Sequence, residues 1–202
     1  MLPSIKWRIS CDDRILFLTF DDGPVPEVTP LVLDMLAANK AKGTFFCIGD
    51  NMKKYPEIFS RINNEGHAIG NHTFNHLNGW HTSKEAYLKN VEECESAIKS
   101  FSQVHFTSSL FRPPYGKLKF SQYAVLKKRN KIVMWDILTR DWEENRTPES
   151  CFTRVKTKAK PGSIIVFHDS IKAKSRMIPA LEATLLHFNK LGYRFESLYK
   201  YV

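Results

Sequence analysis

Short apolar runs alternate with helical patterns along the 202 residues of the chain. Alternation of this kind is typical of a parallel sheet with helices packed outside it, because each strand must cross back before the next one begins. The fold class is therefore predicted to be α/β. The predicted strands cover residues 15–20, 43–48, 68–71, 110–111, 132–136, 163–168 and 193–196.

Helical patterns fill the intervals between these strands. The clearest begins at a capping box formed by Thr82 and Glu85, after which apolar residues recur every three or four positions as far as Phe101. The last helix is expected to end at Gly192, a residue type that commonly follows helix ends. The predicted helices cover residues 29–39, 56–65, 82–101, 121–129, 148–158 and 176–191.

Charged and aromatic residues follow the predicted strands directly. The pair Asp21 and Asp22 ends the first strand, the third is followed by His72, and the sixth closes with His168. In a barrel of parallel strands, the carboxyl ends and the loops after them form one mouth, so these residues are expected to meet there. We predict a distorted (β/α) barrel with about seven parallel strands, in one domain spanning residues 1–202. A complete barrel of eight units typically needs about 250 residues, so an irregular one is expected.

The net charge of +9 favours an anionic environment, such as nucleic acid, a membrane surface or an acidic wall polymer. The lysines are spread along the sequence, without the motifs of RNA-binding sheets or zinc fingers, which favours a solvated basic surface over a nucleic-acid site. No apolar run approaches the length of about 18 residues that spans a bilayer, and the first residues lack the apolar segment of a secretory signal. Stable membrane insertion of this chain is not expected.

The acid pair at the end of the first strand needs a counter-charge. Two carboxylates at close range repel each other unless a cation or hydrogen-bond donors lie nearby. His72 and His76 are four residues apart and can hold a divalent metal on one side of a helical turn. With Asp22 they make a set of two histidines and one carboxylate, which catalytic zinc and non-haem iron both use. We predict one divalent metal ion at these three residues.

Five ordered motifs resemble those of the polysaccharide deacetylases, carbohydrate esterase family four, whose members share the NodB homology domain. They are Thr-Phe-Asp-Asp-Gly-Pro at 19–24, His-Thr-Phe-Asn-His at 72–76, Arg-Pro-Pro-Tyr at 112–115, Asp-Trp at 141–142 and Val-Phe-His at 166–168. The resemblance covers nearly the whole chain. It implies a distorted barrel of parallel strands that holds a divalent metal, usually zinc or cobalt. It also implies an activity that removes N-acetyl or O-acetyl groups from polysaccharides.

The resemblance also implies roles for individual residues. It makes Asp21 the general base, oriented by Arg112, and Asp22, His72 and His76 the metal ligands. It assigns oxyanion stabilisation to the backbone N–H of Tyr115, and it makes His168 the catalytic acid.

Other positions are expected to support the acid or to contact substrate. Asp141 is predicted to partner His168 because a tryptophan follows it, although Asp136 competes for this role. Trp142 and Val166 are expected to wall the pocket for the acetyl methyl group, with Val166 standing where the family usually has leucine, and Pro113 is expected to contact substrate.

The expected activity is removal of N-acetyl groups from N-acetylglucosamine-containing glycans such as peptidoglycan or chitin oligomers. Two alternatives stay open: an O-acetyl esterase acting on acetylated xylan, and a catalytically silent metal-containing protein that binds glycans. The expected partner is an N-acetylated polysaccharide or oligosaccharide rather than nucleic acid. The resemblance implies a location in the cell envelope or outside the cell.

Overall fold

The structure is a computed structural model, and it describes residues 5–101 and 109–202. Within these ranges, nine strands form one curled parallel sheet. The strands are β1 (Ile5–Lys6), β2 (Ile15–Asp21), β3 (Thr44–Cys47), β4 (Ala68–Asn71), β5 (Leu110–Phe111), β6 (Lys131–Val133), β7 (Ile137–Leu138), β8 (Ile164–His168) and β9 (Arg194–Phe195).

The strand order explains how the sheet curls. The strands run β1-β6-β5-β4-β3-β2-β8-β7, and β9 pairs with the start of β2. The segment after β1 then crosses to the base of β8, where Arg8 forms an antiparallel bridge with Ser163 and the Ile9 N–H donates to the Gly162 carbonyl at 2.9 Å. This crossing brings the two ends of the strand order together, and the predicted distorted barrel is confirmed.

Seven helices surround the sheet in the described ranges. They are α1 (Thr29–Ala38), α2 (Gly49–Lys54), α3 (Pro56–Asn64), α4 (Lys84–Ser100), α5 (Phe120–Leu126), α6 (Pro148–Lys158) and α7 (Lys174–Lys190). None of the described helices is long and apolar enough to cross a membrane. The predicted capping box of α4 is wrong by one residue: the Ser83 hydroxyl caps the helix by accepting the Ala86 N–H, because the Thr82 hydroxyl donates to the Asn78 carbonyl instead.

The central strand β2 is buried along its whole length, and its side chains alternate between two cores. Leu16, Leu18 and Phe20 pack in the core between sheet and helices. Ile15 and Phe17 pack in a second cluster on the opposite side of the sheet. Because side chains alternate along a strand, Thr19 and Asp21 follow Phe17 on that second face, which is how a buried strand delivers a carboxylate to the barrel interior.

Three elements were not predicted from the sequence. The strands β1 and β7 have two residues each, too few to show any alternation. The predicted strand over 132–136 ends at Val133, because the chain then leaves β6 and crosses to β8, where the Asp136 N–H donates to the Ile164 carbonyl. The short helix α2 was predicted neither as helix nor as strand.

Candidate active site

Arg112 is the most deeply buried cation of the site. Its side chain is 0% exposed, and one guanidinium nitrogen, Nη1, donates to Asp21 Oδ1 at 2.7 Å and to the Thr19 hydroxyl at 2.8 Å. The other two nitrogens donate to the backbone carbonyls of Val133 and Met134. A buried charge with this many partners is held in one orientation, and it holds the carboxylate of Asp21 in turn.

Asp22, His72 and His76 come together as predicted. One ligand atom from each residue lies within 4.8 Å of the others. Asp22 Oδ1 is 3.2 Å from His76 Nε2 and 3.7 Å from His72 Nε2, yet this oxygen is buried and has no hydrogen-bond partner among the described residues. An unsatisfied buried carboxylate oxygen facing two imidazole nitrogens is the donor set that a divalent cation completes.

The tautomer of His72 is fixed by a hydrogen bond on the far side of its ring. Nδ1 lies 2.8 Å from the Arg112 carbonyl, which can only accept, so Nδ1 carries the proton. The unprotonated Nε2 then faces Asp22. Burial lowers the pKa of His72 to about 4, so the ring is neutral at pH 7 and its lone pair is available to a metal.

The electrostatics of Asp22 also favour its ionised form. Burial by itself would raise the pKa of this carboxyl, but the adjacent His76 and the charge of His168 outweigh that effect and hold the pKa well below its ordinary value. Asp22 is therefore an anion at any physiological pH, as a metal ligand must be.

Backbone turns of unusual conformation position several of these side chains. Asp22, Thr73, His76 and Tyr115 all have a positive φ, of 87°, 63°, 55° and 60° respectively. This left-handed conformation is uncommon for residues other than glycine and tends to occur at functional sites, where surrounding contacts maintain it. At Thr73, for example, the backbone N–H donates to Asn71 and the hydroxyl accepts the Leu77 N–H.

Asp169 braces the turn that carries Asp22. It is fully buried, its Oδ1 accepts the Gly23 N–H at 3.0 Å, and its Oδ2 accepts the Thr29 hydroxyl at 2.6 Å. Burial, with the negative charge of Asp22 nearby, raises the pKa of Asp169 to about 8. The carboxyl of Asp169 thus ties the end of β8 to the turn that follows β2.

We expect Gly23→Ala to destabilise the protein by about 2 kcal/mol, because overpacking a close contact typically costs about 1 to 3 kcal/mol. A Cβ at this position would lie 2.0 Å from Asp169 Oδ2. Urea unfolding measures the change. The matched control is Gly66→Ala, where φ is +75° and, among the described residues, an added Cβ would contact only the Lys42 side chain, at 3.9 Å, so the cost there is limited to backbone strain of about 1 kcal/mol. Equal stability of Gly23→Ala and wild type would contradict the close packing.

His168 pairs with Asp141 and not with Asp136. Its Nδ1 lies 2.8 Å from Asp141 Oδ1, and its backbone N–H donates to Asp141 Oδ2 at 2.8 Å. Asp136 instead accepts the Ser163 hydroxyl and the Ile164 N–H at the other end of β8. Although burial opposes the charge on His168, Asp141 together with Asp22 and Asp21 raises the pKa of the ring to about 9. His168 is thus an imidazolium at neutral pH.

A cavity of about 550 Å³ joins these groups. The indole of Trp142 packs edge-on against His168 with ring centroids 4.7 Å apart, and the phenol of Tyr115 lies 4.7 Å from the ring of His76. Within the described part of the chain, no acceptor takes the backbone N–H of Tyr115. The cavity is lined by Asp21, Asp22, His72, His76, Pro113, Tyr115, Gly116, Trp135, Leu138, Trp142, His168, Ser170 and Lys172.

Comparison with known proteins identifies the family. A family model described as polysaccharide deacetylase matches residues 9–131, more than half of the chain. The chain belongs to the polysaccharide deacetylase family. The resemblance carried by the five motifs is therefore confirmed.

Relatives of this chain include enzymes named for two glycans. A peptidoglycan-N-acetylglucosamine deacetylase from Bacillus cereus is 35% identical over 96% of this chain and 91% of its own length. A chitooligosaccharide deacetylase from Azorhizobium caulinodans is 37% identical over 80% of this chain and 77% of its own length.

A solved structure is similar over almost all of this chain. It is the Bc1960 peptidoglycan N-acetylglucosamine deacetylase in complex with 4-naphthalen-1-yl-N-oxidanyl-benzamide, and it superposes with a TM-score of 0.91 at 30% identity. The match covers 98% of this chain and 92% of that one.

Not every predicted substrate residue lies on the cavity surface. Pro113 and Trp142 line the cavity, but Val166 does not; it is fully buried in the middle of β8, on the same face as His168. Leu138 is the aliphatic residue that lines the cavity. The predicted role of Val166 as a wall of the acetyl pocket therefore stays a prediction.

Five residues that line the cavity were not predicted from the sequence. They are Gly116, Trp135, Leu138, Ser170 and Lys172. Trp135 fell inside the predicted strand over 132–136, although its ring packs within 2.9 Å of where a Cβ on Gly116 would lie. A clue was available in the sequence for Leu138, which lies between the end of the predicted strand over 132–136 and the Asp-Trp motif.

Proposed function

We propose that this chain is a metal-dependent deacetylase that hydrolyses the N-acetyl groups of N-acetylglucosamine-containing glycans. The observation that carries the proposal is that one cavity brings together three groups. These are a set of two histidines and one carboxylate, the carboxylate of Asp21, which a buried arginine holds, and a protonated His168. The names of the relatives support peptidoglycan and chitin oligomers as substrate classes. With peptidoglycan as the substrate, the reaction would take place at the cell envelope.

Asp22, His72 and His76 would hold the metal ion. The unpartnered Oδ1 of Asp22 and the proton-free Nε2 of His72 support this assignment, and zinc accepts such oxygen and nitrogen ligands. When bound, a divalent ion supplies a Lewis acid that lowers the pKa of water and polarises the acetyl carbonyl.

Asp21 acts as the general base. It takes a proton from the water that attacks the acetyl carbonyl. The hydrogen bond from Arg112 holds the carboxylate of Asp21 in place for this transfer. Arg112 occupies only Oδ1, and no donor in the described ranges bonds Oδ2, so the second oxygen is the one available to accept the proton. The four hydrogen bonds of Arg112 keep this oxygen oriented toward the cavity.

The backbone N–H of Tyr115 stabilises the oxyanion that forms on attack. The positive φ of Tyr115 turns this segment at the edge of the cavity, and the N–H has no competing acceptor in the described part of the chain. A preorganised donor of this kind typically contributes about 10²- to 10³-fold to the rate.

His168 acts as the general acid. Its Nδ1–H is held by Asp141, so the proton on Nε2 is the one that passes to the leaving nitrogen of the sugar. Trp142 packs against the imidazole, and with Leu138 and the underlying Val166 it provides the apolar wall for the acetyl methyl group.

The pH dependence follows from the raised pKa of His168. Activity that needs the imidazolium is present below pH 9 and is lost as the pH rises through about 9. Asp141→Asn removes the main stabilising charge while burial stays, so the alkaline limb of kcat/KM should move from about pH 9 toward lower pH, with Asp22 and Asp21 still opposing the shift. A pH profile of acetate release measures the shift. An alkaline limb left in place by Asp141→Asn would show that another group is the acid.

The proposed function is tested by acetate release from a panel of peptidoglycan, N-acetylglucosamine oligomers and acetylated xylan, with and without a chelator. We expect release from the first two, abolished by chelator and restored by Zn²⁺. Release from xylan alone would favour the O-acetyl esterase. No release from any of the three with metal added would favour a glycan-binding protein without activity.

A further inference from the structure

A second, smaller groove adjoins the cavity and has no part in the chemistry proposed above. Its volume is about 260 Å³, and its walls are almost entirely apolar. Pro113 and Gly116 line both the groove and the cavity, so one short turn is their common wall. We name it the aromatic groove, after its exposed rings Trp7, Trp80 and Phe120.

The aromatic side chains of the groove and of the neighbouring cavity rim are exposed to solvent. Trp80 is 56% exposed, Phe120 73% and Trp7 37%, and Tyr115, at the rim of the cavity, is 59% exposed. Large apolar side chains grouped at one place on a surface mark a binding site more often than isolated ones do. Flat faces of this kind suit the apolar faces of pyranose rings.

The groove is built rigidly. The turn that carries Trp80 is fixed by Gln122, which is fully buried and donates to the Gly79 carbonyl at 2.9 Å. A Cβ on Gly79 would lie 2.4 Å from the Lys117 carbonyl, so the turn packs directly on the segment that follows Tyr115. A preformed groove binds its ligand without the cost of ordering it.

Lys117 connects the groove to the cavity. Its ammonium nitrogen lies 5.1 Å from the ring centre of Trp80 and 5.9 Å from that of Tyr115. Within the described ranges, no carboxylate pairs with Lys117. This leaves a positive charge over the path between the two sites, where it would meet a negative group on a bound chain.

We propose that the aromatic groove binds the saccharides next to the reacting one in a glycan strand, and that Lys117 faces a carboxylate carried by that strand. This inference rests on the proposed function. It adds a preference for long chains, and for chains whose sugars bear lactyl carboxylates, as in peptidoglycan, over neutral chitin oligomers.

The test compares kcat/KM for the N-acetylglucosamine hexamer and dimer. Wild type should favour the hexamer, and both Trp80→Ala and Phe120→Ala should reduce the hexamer-to-dimer ratio by about tenfold, the effect of losing one aromatic contact. Leu186→Ala, which truncates an exposed apolar side chain of α7, is the matched control and should leave the ratio unchanged. Ratios unchanged in both groove variants would overturn the proposal.

A binding measurement separates this proposal from the proposed function. Calorimetric titration with the hexamer measures binding to the groove whether or not acetate is released, and Trp80→Ala should weaken binding about tenfold.

A tetrasaccharide bearing lactyl carboxylates should bind wild type several-fold more tightly than the N-acetylglucosamine tetramer, and Lys117→Gln should remove that difference. Equal binding of the two by wild type would overturn the role of Lys117. A dimer of the protein that Phe120→Ala dissociates would show that the groove is a self-interface instead.

Discussion

Replacement of Asp21 by asparagine should reduce kcat for deacetylation about 10³-fold while the metal stays bound. General base catalysis typically contributes about 10²- to 10⁴-fold, and the amide cannot accept the proton that the carboxylate takes. Asparagine keeps an oxygen facing Arg112 but leaves that buried guanidinium without its counter-charge. Loss of stability is therefore expected as well, and activity should be measured at a temperature where the variant is folded.

Asp136→Asn is the matched control for Asp21→Asn. Asp136 is also a hydrogen-bonded aspartate, but its donors are the Ser163 hydroxyl and the Ile164 N–H, and it lies outside the cavity. Its variant should keep near-wild-type kcat. Acetate release at the wild-type rate by folded, metal-loaded Asp21→Asn would exclude Asp21 as the base.

Replacement of His72 by alanine should remove metal and activity together. The imidazole supplies one of the three donor atoms that lie within 4.8 Å of one another, and its loss leaves Asp22 with His76 alone. Activity should fall to that of chelator-treated wild type, and added Zn²⁺ should not restore it at concentrations that restore wild type. Elemental analysis of the purified variant, together with acetate release, measures both effects.

The matched control for His72→Ala is His67→Ala. The two histidines are buried to nearly the same degree, but His67 accepts the Gly43 N–H and lies outside the cavity. Both variants should lose about 2 to 3 kcal/mol of stability, as core truncations do. Only His72→Ala should lose the metal. Full metal occupancy in folded His72→Ala would contradict its assignment as a ligand.

Much of this site could be predicted from the sequence because it is built from strand ends. Asp21, Asp22 and His168 each end a strand whose apolar pattern is visible, and parallel strands bring their carboxyl ends to one mouth. The spacing of His72 and His76 added the metal set, although the expected helical turn is wrong: residues 72–76 are not helical, and Thr73 and His76 both have a positive φ. These features are local in sequence, so pattern and spacing were sufficient to find them.

The parts that could not be predicted depend on contacts between distant segments. Asp169 braces Gly23 across 146 positions of the sequence, and neither residue shows this in its local pattern. The choice between Asp136 and Asp141 was likewise decided by where β7 lies beside β8. Trp80 and Phe120 are single aromatic residues 40 positions apart in sequence, and they share a groove in the fold, where Gln122 fixes the turn that carries Trp80.

The most direct test of the proposed metal site is a calorimetric titration of Zn²⁺ into chelator-stripped protein. Wild type should bind one ion per chain, and Asp22→Asn should bind it far more weakly, because the carboxylate supplies the only negative charge among the three donors. Stripped wild type that binds no ion, or Asp22→Asn that binds as wild type does, would contradict a cation held by Asp22, His72 and His76.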